Sequence, residues 1–80
     1  MDIVEYTEFL VKSICKKPDM VKVSSFEVED GLILEIIVHE DDKGAVIGRR
    51  GYTISAIRTL IRAKSFLLGL EKVRVNVDAF

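Results

Sequence analysis

The stretch Ile47-Gly48-Arg49-Arg50-Gly51-Tyr52-Thr53-Ile54 decides how this 80-residue chain is read. Two glycines bracket a pair of arginines, isoleucines flank the whole, and a helical pattern opens directly after it. Glycine has no side chain to keep a ligand's backbone at a distance, amides at a helix start favour negative charge, and two guanidinium groups supply phosphate donors. The segment points to a phosphate-bearing partner.

Downstream, the pattern predicts a long helix from about Tyr52 to Leu68, with Gly69 placed to end it in a left-handed conformation. Its apolar residues (Ile54, Ala56, Ile57, Leu60, Ile61, Ala63, Leu67 and Leu68) cover about half the circumference, wider than the roughly 100° stripe one core face requires. Ile57, Ile61 and Leu68 are therefore candidates for a dimer surface, and burial under the first helix or a loop explains them equally well. Lys64 interrupts the apolar half and can snorkel at its edge. Val73, Val75 and Val77 then alternate with Arg74, Asn76 and Asp78, the mark of a strand with one buried face.

Upstream of the loop, Lys43 to Ile47 reads as a short helix preceded by Glu40-Asp41-Asp42, whose carboxylates suit capping and the helix dipole. The run Leu32-Ile33-Leu34-Glu35-Ile36-Ile37-Val38 is apolar at nearly every position, as expected of a central strand covered over much of both faces. Asp30-Gly31 is a hairpin signal. Before it, Val21 and Val23 change parity with Phe26 and Val28 across Ser24-Ser25, which predicts a bulge or a late strand start. Asp2 can cap a first helix with Ile3, Tyr6, Leu10 and Ile14 on one stripe, flanked by Val4, Phe9 and Val11, and Pro18 stops it. The order is helix, strand, strand, helix, glycine loop, helix, strand.

The composition, 49% hydrophobic, suffices for one packed domain without a disulfide. Cys15 is the lone cysteine, and with no signal peptide the expectation is a reduced, soluble, cytoplasmic protein. No apolar run approaches the ~18 residues that span a bilayer, so no membrane segment is predicted. The net charge of -1 conceals an asymmetry: residues 1–42 hold eleven acids against four lysines, whereas residues 43–70 hold six basic residues and no acid. Such a reversal fits either a local anion-binding surface or a solvated charged face.

Strand-helix-GxxG-helix-strand, together with Val46-Ile47-Gly48-Arg49-Arg50-Gly51-Tyr52-Thr53-Ile54, resembles the K-homology (KH) domain, whose GxxG loop clamps about four backbone nucleotides. An extra helix and strand ahead of this core match the bacterial, type II arrangement. The length, Pro18-Asp19 after the first helix, the hairpin and the spacing Gly44-x-x-Ile47-Gly48 are similar to the small stand-alone KhpA family. The resemblance covers the whole chain as a single domain, with the core over residues 32–79 and the additional helix and strand over 2–29. It implies an α/β (α+β) fold with a three-stranded mixed sheet covered by helices on one face. It also implies single-stranded RNA as partner, with single-stranded DNA admissible to the same clamp, and work as an RNA chaperone or post-transcriptional regulator linked to cell shape and division. Self-association and pairing with a larger KhpB-like protein follow in the same way, while the residues themselves, with no metal-ligand cluster, no cofactor-binding glycine spacing and no membrane-length apolar run, lead to no expected cofactor, metal or membrane partner.

By position, the RNA-binding candidates are Gly48 and Gly51 for close approach, Arg49 and Arg50 for charge, Ile47 and Tyr52 beside the loop, and Lys43 and Arg58 for a longer strand, with Arg62 one turn further on. Each has a structural alternative: Ile47 and Ile54 as core, Arg58 and Arg62 as a solvated helix face, Tyr52 as packing at the helix start. His39 stands alone at a strand end, without the partners that catalysis requires. Gly44, Gly48 and Gly51 fit neither a Walker A loop nor a dinucleotide fingerprint, so no enzyme activity is expected.

Overall fold

The computed structural model describes all residues, Met1–Phe80. Strands β1 (Lys22–Val28), β2 (Gly31–Val38) and β3 (Val73–Ala79) form one sheet in the order β1-β2-β3, antiparallel between β1 and β2 and parallel between β2 and β3. Helices α1 (Ile3–Lys12), α2 (Glu40–Ile47) and α3 (Tyr52–Leu67) complete the order α-β-β-α-α-β, with 3-10 turns at Pro18–Met20 and Arg49–Gly51. The expected mixed sheet with helices on one face is the observed architecture.

Strand alternation sorts the sheet into two faces. Leu34, Ile36 and Val38 of the central strand are fully buried under the helices, with Val23 and Val75 beside them. They join Ile3 and Val11 of α1, Val46 of α2 and Ile54, Ile57 and Ile61 of α3 in one core cluster. The other face carries Phe26, Ile33, Ile37 and Arg74 without a covering layer. Ile33 and Ile37 are therefore only half-buried, and the expected cover on both faces of β2 is absent. β1 pairs with β2 in unbroken register from Lys22↔Ile37 to Val28↔Gly31, so there is no bulge. The parity change has another cause: Phe26 and Val28 point to the open face, where an exposed aromatic can sit beside Ile33.

The hairpin turn falls on Glu29 and Asp30, and Gly31 is already the first residue of β2. A Cβ at Gly31 would collide with the Lys72 backbone, so the glycine is required by the close approach of the segment that enters β3. α1 ends at Lys12, before Ile14, and buries Ile3, Thr7 and Val11; Phe9 and Ile14 are exposed. Thr7 tolerates the interior because its Oγ1 donates to the Ile3 carbonyl at 2.7 Å. At the far end of α3, the Leu70 amide bonds the Ser65 carbonyl at 2.9 Å and the Gly69 amide bonds Phe66 at 3.1 Å, with Gly69 at φ 75°. This is the left-handed stop expected from the sequence.

α2 begins three residues earlier than expected, at Glu40, because His39 caps it: its Nδ1 accepts from the Asp41 amide at 3.0 Å. Asp42 does not cap the helix. Its carboxylate is buried and accepts the amides of Lys16 and Lys17, each at 2.9 Å, which ties the segment after α1 to the start of α2.

Candidate nucleic-acid interface

Two anchors hold the loop between α2 and α3. Val46 is fully buried at the end of α2 and Ile54 is buried in the first turn of α3, while Ile47 is half-buried against the core. Between them the chain reverses in a few residues. The Gly48 amide donates to the Gly44 carbonyl at 2.8 Å, and the Gly48 carbonyl accepts from the Gly51 amide at 3.0 Å. Gly48 has φ 78° and ψ 170°, and a Cβ there would strike the side chain of Thr53 and lie 2.8 Å from its amide nitrogen. Gly48 is thus required by conformation and by space. Gly51, at φ 76°, has only the Ile54 Cγ2 within 4 Å of a built Cβ, so conformation alone demands it. Arg50 also adopts the left-handed region, φ 55° and ψ 22°, a conformation that an L side chain pays for in strain.

The geometry turns both arginines outward. Arg49 and Arg50 are exposed and neither forms an ion pair or a side-chain hydrogen bond. No side chain caps the 3-10 turn or α3, and no acid stands in the first turn of α3. Uncapped amides, the positive end of a sixteen-residue helix and two free guanidinium groups converge on one exposed turn. An anion placed there meets donors and positive potential with nothing to displace but water. Tyr52, 66% exposed, stands next to the loop with its ring available; it does not pack at the helix start.

The remaining expected site residues are placed differently. The Lys43 ammonium lies 3.4 Å from Asp78 at the end of β3, and Arg58 donates from Nη2 to the Val75 carbonyl at 3.1 Å. Both thus hold β3 to a helix. Ile57 and Ile61 belong to the core, so neither offers a dimer surface; only Leu68 of that trio is exposed. The exposed apolar residues of α3 are instead Leu60, Phe66 and Leu67, on the side opposite the core. Lys64 rests its ammonium 5.7 Å from the Tyr6 ring centroid, joining α3 to α1. Thr53, unremarked in sequence, is the residue against which Gly48 closes.

No His, Cys, Asp and Glu side chains gather to hold a metal ion. Burial, and then the Asp42 charge, pushes the Cys15 thiol above its usual range, the opposite of a reactive thiolate. No helix is long and apolar enough to cross a membrane.

Residues 4–77 match the family described as KhpA/KhpB, KH domain. The chain is 45% identical over 73 residues to the RNA-binding protein KhpA of Streptomyces coelicolor, covering 91% of this chain and 87% of that one. It is 48% identical over 60 residues to KhpA of Borreliella burgdorferi, covering 75% and 73%, and 40% identical over 75 residues to KhpA of Mycobacterium tuberculosis, covering 94% and 89%. These relatives are named for binding RNA. Among solved structures, Era in complex with MgGDPNP and nucleotides 1506–1542 of 16S ribosomal RNA superposes with a TM-score of 0.75 at 22% identity. That match spans 98% of this chain and 30% of Era, and it establishes the shared fold. With the GxxG turn in place between α2 and α3 and the family's pattern matched almost from end to end, this chain belongs to the KhpA/KhpB family of KH-domain proteins.

Proposed function

We propose that this protein binds single-stranded RNA by clamping its phosphate backbone on the Gly48–Gly51 loop. The observation that carries this reading is the exposed, uncapped turn with two unpaired arginines at the start of α3. The names of the relatives support it. A clamp of this kind reads phosphate first, so its sequence preference is modest and single-stranded DNA is an admissible ligand. The cellular role that fits is post-transcriptional, in the cytoplasm, as an RNA chaperone linked to cell shape and division. Replacing Arg49 and Arg50 together by Asp leaves the fold intact, because both residues are exposed and neither side chain forms a hydrogen bond or ion pair within the protein. It lowers RNA affinity about hundredfold or more, since two charge-assisted contacts become repulsive. A folded double variant with wild-type affinity in a fluorescence anisotropy titration would refute the assignment.

A second reading, a subunit that pairs with its own copy or with a KhpB-like partner, draws on the outer side of α3. From Ser55 through Ala56, Thr59, Leu60 and Ala63 to Phe66 and Leu67 this side carries no charge, and Phe66 and Leu67 are 82% and 78% exposed. Apolar residues this open mark contact surfaces in soluble proteins. Leu67→Asp, at an exposed position, is expected to abolish concentration-dependent sedimentation without loss of stability. Identical sedimentation of variant and wild type as monomers at all concentrations would leave RNA binding as the work of a single domain.

A further inference from the structure

Hydroxyls inside the helices of this protein turn back on the backbone. Thr7 donates to the Ile3 carbonyl at 2.7 Å, Thr59 to the Ser55 carbonyl at 3.0 Å and Ser65 to the Ile61 carbonyl at 2.7 Å. Each bond uses a helical carbonyl one turn behind. Thr53 has no such carbonyl, because α3 opens at Tyr52 and the residue four behind Thr53 is Arg49, whose carbonyl lies in the 3-10 turn and already accepts the Tyr52 amide. Thr53 is half-buried, yet no sealed side-chain oxygen of the protein lacks a partner, so its unbonded hydroxyl reaches solvent. Ser55 also stands in this first turn, but it is exposed on the outer side of the helix.

Gly48 fixes where the Thr53 hydroxyl points. The atom nearest to a Cβ built at Gly48 is the Thr53 Oγ1, so the place that a side chain would take at the first glycine of the loop is held by a hydroxyl oxygen. We propose that Thr53 is a phosphate ligand of the loop, its hydroxyl donating to a non-bridging oxygen of the phosphate that Arg49 and Arg50 attract. This rests on the loop reading above and deepens it by adding a neutral donor to two exposed charges. Guanidinium groups act on a phosphate over several ångströms, whereas a hydroxyl acts only at hydrogen-bond distance and so fixes the position of the backbone. Gly48 then serves the ligand through Thr53, because any side chain at position 48 displaces the donor.

The test titrates labelled oligouridylate of about four nucleotides, matched to the loop, by fluorescence anisotropy across a salt series, with thermal melts to establish that each variant is folded. Thr53→Val keeps the branched shape and removes the donor; Thr53→Ser keeps the donor and removes the methyl group; Ser55→Ala removes the neighbouring hydroxyl. Thr53→Val is expected to bind about tenfold more weakly, the worth of one hydrogen bond to a charged acceptor. The loss should be the same at every salt concentration, because a neutral donor releases no counterion, whereas Arg49→Asp with Arg50→Asp flattens the salt dependence. Thr53→Ser and Ser55→Ala should bind as wild type does. Wild-type affinity in Thr53→Val, or an equal loss in Thr53→Ser or in Ser55→Ala, overturns the donor role while the loop reading stands. Should valine disturb the fold, Thr53→Ala beside Thr53→Ser decides in the same way, and wild-type affinity in Thr53→Ala overturns the proposal. Unchanged affinity in the folded arginine double variant overturns the loop reading instead, and the role of Thr53 falls with it.

Discussion

The starts of α1 and α2 carry carboxylates, whereas α3 starts on two arginines. At α1, Asp2 accepts the Glu5 amide at 2.8 Å and Glu5 accepts the Asp2 amide at 3.2 Å, a reciprocal capping box. At α2, Glu40, Asp41 and Asp42 occupy the first turn behind the His39 cap. Both starts satisfy their own donors and offset their own dipole. The start of α3 does neither, although it is the longest helix with the largest dipole to offset. Carboxylates at a helix start stabilise by about 0.3–1 kcal/mol each, and cations there cost a similar amount. The contrast teaches that two helix starts are finished within the protein, while the third keeps its donors and its dipole uncompensated, as the proposed phosphate contact requires.

The largest effect expected at the unfinished start is steric. Gly48→Ala should lower unfolding free energy by about 2–4 kcal/mol, combining left-handed strain with the collision against Thr53. Gly51→Ala, which meets open space, should cost only about 1–2 kcal/mol. Denaturant melts of the two decide the matter; equal losses would mean that Thr53 moves aside and that the loop is looser than its geometry indicates. At a finished start, Asp2→Ala is expected to cost about 1 kcal/mol in stability and nothing in RNA affinity.

Neutralising the unfinished start should have a smaller effect of the opposite sign. Arg49→Gln with Arg50→Gln is expected to raise stability by about 0.5 kcal/mol while weakening RNA binding. A double variant less stable than wild type in a thermal melt would break the contrast, because it would make the arginines structural. The last difference is silent at neutral pH. The amide of Lys16, and with it the Lys17 amide and nearby positive charge, holds Asp42 below its unfolded value of 3.8. The stability this contributes is complete above that value and is lost as pH falls through the lower folded value. Denaturant midpoints should therefore be flat from about pH 7 to 5 and fall below about pH 4, with a shallower fall in Asp42→Asn.

The loop was the most legible part of the chain because its requirements are local. Positive φ at Gly48 and Gly51, and a helix opening at Tyr52, are written in residue types that few other conformations favour. The Gly69 stop and the valine alternation of β3 were legible for the same reason. The errors cluster where a neighbour distant in sequence decides. The parity change at Ser24-Ser25 reads as a bulge or a late strand start only if Val21, Val23, Phe26 and Val28 share one face, yet β1 runs unbroken from Lys22 and Phe26 lies exposed on the uncovered face. Asp42 looked like a cap, but it serves backbone amides 25 and 26 residues away. Ile57 and Ile61 looked available because amphipathicity gives the width of an apolar stripe and not the direction of the core.

What the sequence determined alone is the order of elements, the glycine turn with its two arginines, and the reversal of charge that leaves residues 43–70 without an acid. These follow from backbone conformation and composition, which act over a few residues. Only the tertiary structure decided which cations remain free. Packing of α3 against β3 commits Arg58 to a carbonyl and brings Arg74 beside Arg62, and packing of α2 against β3 pairs Lys43 with Asp78. An ion pair or a groove depends on distances between chain segments, and those distances are set by the core.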